Sequence, residues 1–415
     1  MRIPWPLGAI DPHRLDDVAA AVFGDALFDT LYARDETGAI VPSLAESDPD
    51  ADAGGVRVTL RRGLLSAHGR PIDARDVVLS LARARALAAR AWLADIPPPR
   101  IDKDRLTIRF AMRDPTRLAR ALSSPLTAIV PTSFAPERPD GSGPFRAEAR
   151  GETLVFTRNP VAARGAAALD EMVVRPAADL SDSLRWFESG ADDIGWLGSG
   201  LHQPRRGSQP FDAGSVGWAV LRTGRDAGAA WDAPGVAQSL CDAVPQSALA
   251  SLEMGPSSPN VPTTGPRGGW GGAPCELLVR DDAKWLIELA RVIAATLSSP
   301  THDVTPKPVP SAEFAQRRAM RGFTLALDVV RRFGPGPVAD LAALSTADDP
   351  ATAVDVVRHA PKGGALTLRA FTQLMRLGIV GEIRVQGGRV ADLVLPLSSA
   401  APGIDWGAAI RPRRA

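Results

Sequence analysis

Residues 58–84 read VTLRRGLLSAHGRPIDARDVVLSLARA, and the way this stretch divides decides the fold class. Just before and into it, apolar Val56, Val58 and Leu60 alternate with Arg57, Thr59 and Arg61, the period of a half-buried strand. Gly63 and Gly69 bracket a tight turn and supply positive φ there at no steric cost. Pro71 fixes the chain ahead of Asp73, which caps an amphipathic helix over 74–90. Asp76 then places a carboxylate in the first turn, where it suits the free N–H groups and the helix dipole.

Strand and helix patterns alternate irregularly on both sides of this stretch. A helix is predicted over 16–32 from Val18, Val22, Phe23, Ala26, Leu27 and Leu31, and a strand from Leu106, Ile108 and Phe110. Further helices are predicted over 116–122, 184–188, 283–297 and 365–377. Further strands are predicted at Leu154–Phe156, at 193–196, over 277–279 and over 323–330. Residues 256–274 are rich in Pro, Gly and Ser and read as a long loop. The mixture implies an α/β protein with mixed sheets.

Composition removes several function classes. The chain has 415 residues with 48 Lys+Arg against 47 Asp+Glu, a formal charge of +1, so no nucleic-acid partner is expected. An apolar fraction of 45% supports a sizeable core, and the length suggests two or three domains or lobes. There is no run of about 18 apolar residues to cross a membrane. The N-terminus lacks the apolar region of a signal peptide. His13, His68, His202, His302 and His359 are scattered and never pair at helical spacing, so no metal site and no cofactor is expected. Cys241 and Cys275 could form one disulfide or stay as two thiols. Ser142, in Gly-Ser-Gly-Pro, and Cys241 are the candidate nucleophiles. Neither sits in a Gly-x-Ser-x-Gly elbow, and no catalytic residue is assigned.

Four ordered blocks resemble the extracytoplasmic solute-binding proteins of ABC importers, in the dipeptide/oligopeptide/nickel-binding class known as family 5. They are LFDTLYARDETGAIVPSLAES at 27–47, the stretch at 58–84, GSGPFRAEARGETLVFTRNP at 141–160 and SLRWFESGADDIGWL at 183–197. Most of these residues read as scaffold. The resemblance implies a two-lobed periplasmic-binding-protein fold (class II, cluster C) with a hinge between the lobes. By analogy, lobe I occupies 1–222, lobe II 223–375, and 376–415 return to lobe I. It also implies a monomer that captures a small-molecule or peptide-like ligand in an interlobe cleft and delivers it to an ABC permease in the membrane. An extracytoplasmic, periplasmic location follows from it, with a cytoplasmic sensory or degenerate paralogue as the alternative.

The chain departs from the family at LALDVVRRFGPGPVADL, residues 325–341. Peptide-binding members carry an aspartate there that pairs with the peptide α-amine. With Pro337 aligned on the family proline, Phe333 takes its place, flanked by Arg331 and Arg332. Asp328 fills the role only if the alignment slips by five residues. A buried ammonium without a carboxylate is costly, whereas arginine favours a carboxylate. The expected ligand-binding residues are Arg331 and Arg332 together with the flat aromatics Trp196, Trp218 and Trp270.

Overall fold

Asp73 caps the helix that the sequence assigns to it. Its side chain accepts from the Arg75 amide at 2.8 Å, and Asp76 accepts in return from the Asp73 amide at 3.0 Å, a reciprocal capping box. The α-helix runs Ala74–Ala84 and continues as a π-turn over Arg85–Ala89. Helix Val18–Leu27 is shorter than the expected 16–32. Asp17 caps it from the Ala20 amide, Phe28 is already extended, and Tyr32 opens strand Tyr32–Arg34. In the computed structural model the described residues are 1–102, 104–179, 181–195, 205, 207–250, 252, 254, 269–360, 368–390, 392–399 and 401–411.

They divide into two compact units. One comprises Leu7–Arg175, Arg332–His359 and Ala391–Ala415; the other comprises Met1–Pro6, Pro176–Arg331 and Ala360–Val390. The expected cuts at 222 and 375 do not coincide with this division. Strand Gln209–Thr223 pairs with Leu325–Arg331 and Leu377–Val390, which draws all three into one sheet.

The unit holding Leu7–Arg175 carries an antiparallel sheet in the order Asp50–Asp52, Gly55–Thr59, Thr107–Phe110, Arg100–Ile101, and a meander of Phe145–Arg150, Thr153–Arg158 and Glu171–Pro176. The 141–144 block of the family signature is structural here. A Cβ at Gly141 or Gly143 would run into the Leu27 backbone. Ser142 is fully buried and donates to Asp29 Oδ2 at 2.7 Å. Arg164 bridges Asp29 and Asp25, with Nη2 at 3.1 Å from Asp25 Oδ1. Burial, offset in part by Arg164 and reinforced by Asp405 and Asp29, pushes the Asp25 carboxyl up to about 6. Helix Pro337–Asp348, which the sequence reading passes over, starts with Pro337 in its first turn after Gly336 at φ 89°.

The second unit is built on a six-stranded sheet. Its strands are β1 (Ile194–Gly195), β2 (Gln209–Thr223), β3 (Cys275–Arg280), β4 (Val304–Val309), β5 (Leu325–Arg331) and β6 (Leu377–Val390), in the order β1-β6-β2-β5-β3-β4. β2 runs antiparallel to both β5 and β6, and β3 is parallel to β4 and β5. Helices α1 (Val236–Ala243), α2 (Lys284–Leu297) and α3 (Ser311–Met320) pack on it. The expected helix over 365–377 is reduced, among the described residues, to Leu368–Thr372, and Leu377 already opens β6.

Edge strand β4 and the stretch of β6 that β1 leaves uncovered are both closed chemically. Edge strand β4 reads VTPKPV, and Pro306 and Pro308 offer no N–H to a further strand. At β6, buried Gln238 of α1 acts as a partner strand. Its Oε1 accepts from the Ile379 amide at 3.0 Å, and its Nε2 donates to the Ile379 carbonyl at 3.5 Å. Gly378 makes this possible, because a Cβ there would meet the Ala237 backbone at 2.5 Å.

Candidate functional site

The run β3-α2-β4-α3-β5 contains a topological switch. The chain leaves β3 for β4 on one side and returns through α3 to β5 on the other. Right-handed crossovers in opposite directions put α2 and α3 on opposite faces. In sheets of this kind, ligands bind outside the carboxyl ends of the strands at the switch, here the ends of β3 and β5.

Alternation along β5 assigns each side chain to a face. Leu278 and Ala326, paired in register, form a cluster with Phe314 of α3, so their face is the α3 face. Asp328 shares it. Its Oδ2 lies 3.3 Å from Arg222 Nε and 3.1 Å from Arg318 Nη1, and its Oδ1 accepts from the Val329 amide at 2.8 Å. This carboxylate is neutralised by two guanidinium groups of its own unit. Arg331, the last residue of β5, falls on the α2 face and is 2% exposed. Opposite it stands Gly217, where a Cβ would meet the Val330 carbonyl at 2.5 Å and Arg331 Cα at 2.9 Å. Only glycine lets β2 approach there.

At the end of β3, Arg280 holds Asp282 through Nε at 3.0 Å and Nη2 at 2.9 Å, and Ser311 Oγ adds a bond of 2.6 Å. Burial alone would raise the Asp282 carboxyl, but these hydrogen bonds outweigh it and hold it below its usual range. Helix α2 then begins behind Ala283, which provides no side-chain cap. Trp285, in its first turn, packs against Trp5 with ring centroids 4.9 Å apart. The strand entering at Ile3 accepts from the Ala177 amide at 2.8 Å, and Lys284 Nζ reaches the Ala177 carbonyl at 3.5 Å.

The five expected ligand residues are placed differently. Of the four that are described, Arg331 alone stands at the switch on the α2 face. Trp218 pairs with Val330 one position away and faces the α3 side, 1% exposed. Trp270 is buried against Trp231, donates Nε1 to the Ala273 carbonyl at 2.7 Å and anchors its amide on the Leu297 carbonyl. That is the far end of α2, about 20 Å from its start at 1.5 Å per residue. Arg332 belongs to the other unit, where its Nε bonds Asp340 Oδ1 at 3.2 Å. Trp196 lies outside the described residues.

Phe333 also lies in the Leu7–Arg175 unit. It is 1% exposed, edge-on to Trp92 at 5.4 Å, with its carbonyl accepting from Ser124 Oγ at 2.9 Å. Both cysteines are free thiols, which settles the disulfide alternative, and burial pushes the Cys275 thiol up to about 11. Among the described residues no group of three metal-ligating side chains forms, and no helix is long and apolar enough to cross a membrane.

A mixed α/β chain with a doubly wound switch in one unit and a separate meander-bearing unit has the fold of the two-lobed periplasmic binding proteins. Residues 39–206 match the family model "Bacterial extracellular solute-binding proteins, family 5 Middle", in agreement with the four sequence blocks. The pheromone receptor PrgZ, solved for its mode of peptide binding, is similar over 100% of this chain and 99% of its own, at 12% identity and a TM-score of 0.73. DppA from Helicobacter pylori, in complex with the peptide STSA, is similar over 99% and 97%, at 16% identity and a TM-score of 0.72. AgaA from A. tumefaciens R10, in complex with agropinic acid, covers 100% and 98%, at 16% identity and a TM-score of 0.69. No curated protein matches the chain in sequence.

Proposed function

We propose that this chain is the solute-binding component of an ABC-type importer. It binds a small organic ligand, acidic or peptide-like with an anionic end, outside the cytoplasm and delivers it as a monomer to a membrane permease. It performs no chemistry on that ligand. The observation that carries the ligand class is Arg331, buried at the carboxyl end of β5 on the α2 face, while the one acid of that strand, Asp328, is held by Arg222 and Arg318. A guanidinium binds a carboxylate through charge-assisted, often bidentate hydrogen bonds. No carboxylate of β5 is left to receive an ammonium, so a free peptide amine has no partner there. That PrgZ was solved for its mode of peptide binding, DppA with the peptide STSA and AgaA with agropinic acid supports both ligand classes.

Native mass spectrometry of gently purified protein, followed by a thermal-shift panel of organic acids, amino acids, sugars and peptides, tests the reading. Saturation at about 100 times Kd adds roughly 2.7 kcal/mol to the bound state. Arg331→Gln is expected to weaken an acidic hit by more than about 1.5 kcal/mol, roughly tenfold. An acidic hit bound equally well by the variant refutes the arginine's role. A clean apo mass with no hit across the panel refutes the binding reading itself.

A further inference from the structure

The helix Ala74–Ala84 and the π-turn Arg85–Ala89 that continues it turn an unusual face to solvent. The exposed positions are Arg75, Leu79, Ala82, Ala86, Leu87 and Arg90, a stripe that recurs every three or four residues. The solvent side of an amphipathic helix normally carries charged and polar groups along its length. Here the middle is apolar, both ends are arginine, and no acid stands among them. Leu79 and Leu87 are each 45% exposed. The edge strand Arg100–Ile101 lies beside this helix and adds Ile101, 47% exposed, and the exposed Arg100. Ile101 pairs with fully buried Ile108, so it stands on the covered face of the sheet, at its rim. Arg105, also exposed, is held at the helix start, where its carbonyl accepts from the Ala74 amide at 2.9 Å. The acids of these segments are bonded elsewhere. Asp73 and Asp76 cap the helix, and Asp95 is shared by Arg117 and Arg358. Asp102 accepts from Arg109 at 3.2 Å, and Asp104 accepts from the Leu106 amide at 2.8 Å and Thr107 Oγ1 at 3.1 Å. The patch is apolar in the middle and positive at its margins.

We infer that this face docks on an anionic lipid surface, with Leu79, Leu87 and Ile101 entering the headgroup region and the flanking arginines meeting lipid phosphates. A guanidinium pairs with phosphate through two parallel hydrogen bonds. Apolar side chains projecting between basic ones are what a negatively charged bilayer surface takes up. A protein partner fits this face less well. A stable interface buries about 1,200 Å² or more around a close-packed apolar centre, whereas here three side chains protrude around small alanines. Antiparallel pairing with a second copy would set arginine against arginine. The inference goes beyond the solute-binding reading and does not depend on which ligand is bound.

The test is flotation of the full chain with vesicles of phosphatidylglycerol and phosphatidylcholine in equal parts, and with vesicles of phosphatidylcholine alone. Binding to the mixed vesicles is expected, at least about tenfold weaker on the neutral ones and weakened by added salt. Leu79→Gln combined with Leu87→Gln is expected to weaken it by at least about tenfold, and Arg75→Gln combined with Arg90→Gln by a similar factor on the mixed vesicles. A wild type that ignores the mixed vesicles overturns the inference, and so does either variant binding them as tightly as the wild type. Equal binding to neutral and mixed vesicles overturns it too, since the arginines then meet no phosphate charge. Dimerisation that the leucine pair abolishes, without vesicle binding, overturns it in favour of a second copy. Should the leucine variant not fold, Ala86→Glu decides, because it sets a negative charge on the exposed face and disturbs no buried contact. Loss of vesicle binding by Ala86→Glu supports the docking face, and undiminished binding overturns it.

Discussion

Replacing Asp25 by asparagine removes a carboxylate that the folded chain holds at a cost. Asp25 and Asp29 share Arg164, and Asp405 adds its field, while burial pushes the Asp25 carboxyl from 3.8 up to about 6. A carboxyl that binds its proton more tightly when folded stabilises the fold below the unfolded value, and that contribution is lost as pH rises from about 3.8 through 6. At about 1.36 kcal/mol per tenfold change in proton affinity, the loss reaches at most about 3 kcal/mol by neutral pH. The side chain keeps 26% exposure, so water screens part of this, and about 1–2 kcal/mol is the expected effect. Asp25→Asn should therefore differ least from the wild type at pH 4.5, where about a third of the loss has already occurred, and exceed it most at pH 7.5. For a unit of this size that is a rise in unfolding midpoint of about 2–8 °C. Differential scanning calorimetry of both proteins at pH 4.5, 5.5, 6.5 and 7.5 measures it, and the difference between them isolates Asp25 from the other carboxylates. An asparagine variant less stable at pH 7.5, or a difference that does not grow with pH, refutes the reasoning.

Two further expectations concern the second unit. Gln238→Leu leaves the amide and carbonyl of Ile379 without their partners at the edge of β6 and should cost about 2–4 kcal/mol in a urea titration; a loss below about 0.5 kcal/mol would show that the edge does not depend on it. Cys275, its thiol pushed up to about 11, and buried Cys241 should both resist Ellman's reagent at pH 8 and react as two thiols only after denaturation; rapid reaction of either in the native protein contradicts the structure.

Local chemistry was legible in the sequence wherever a segment's own residues decide its state. Asp73 and Asp76 announce their helix by capping, and the apolar stripe of Leu286, Leu289, Ala290, Ile293 and Leu297 announces α2. Long-range pairing was not legible. β6 has no clean alternation, and its first part exists because β2 lies on one side and Gln238 closes the other. Helix Pro337–Asp348 hides behind Gly-Pro-Gly-Pro, which reads as a loop until Pro337 is seen in the first turn. Trp270 looked like a cleft aromatic because it borders a glycine-rich loop, yet its indole closes a local hydrogen bond and fills the base of α2.

The proposed charge of the ligand turns on one strand. β5 reads LALDVVR, every residue buried, with an acid and a base three positions apart. In sequence either could be the group that meets a ligand, and the family pattern favours an acid. Spacing by three puts the two side chains on opposite faces of the sheet. The α3 face supplies Arg222 and Arg318 to Asp328, so the acid is neutralised inside the unit. The α2 face carries Arg331 to the carboxyl end of the strand, beside a helix start that offers further N–H donors and no carboxylate of its own first turn. Positive charge at this end attracts an anion and repels a ligand's ammonium. The proposed preference for an anionic ligand end thus rests on register and face, which the order of residues in β5 does not reveal.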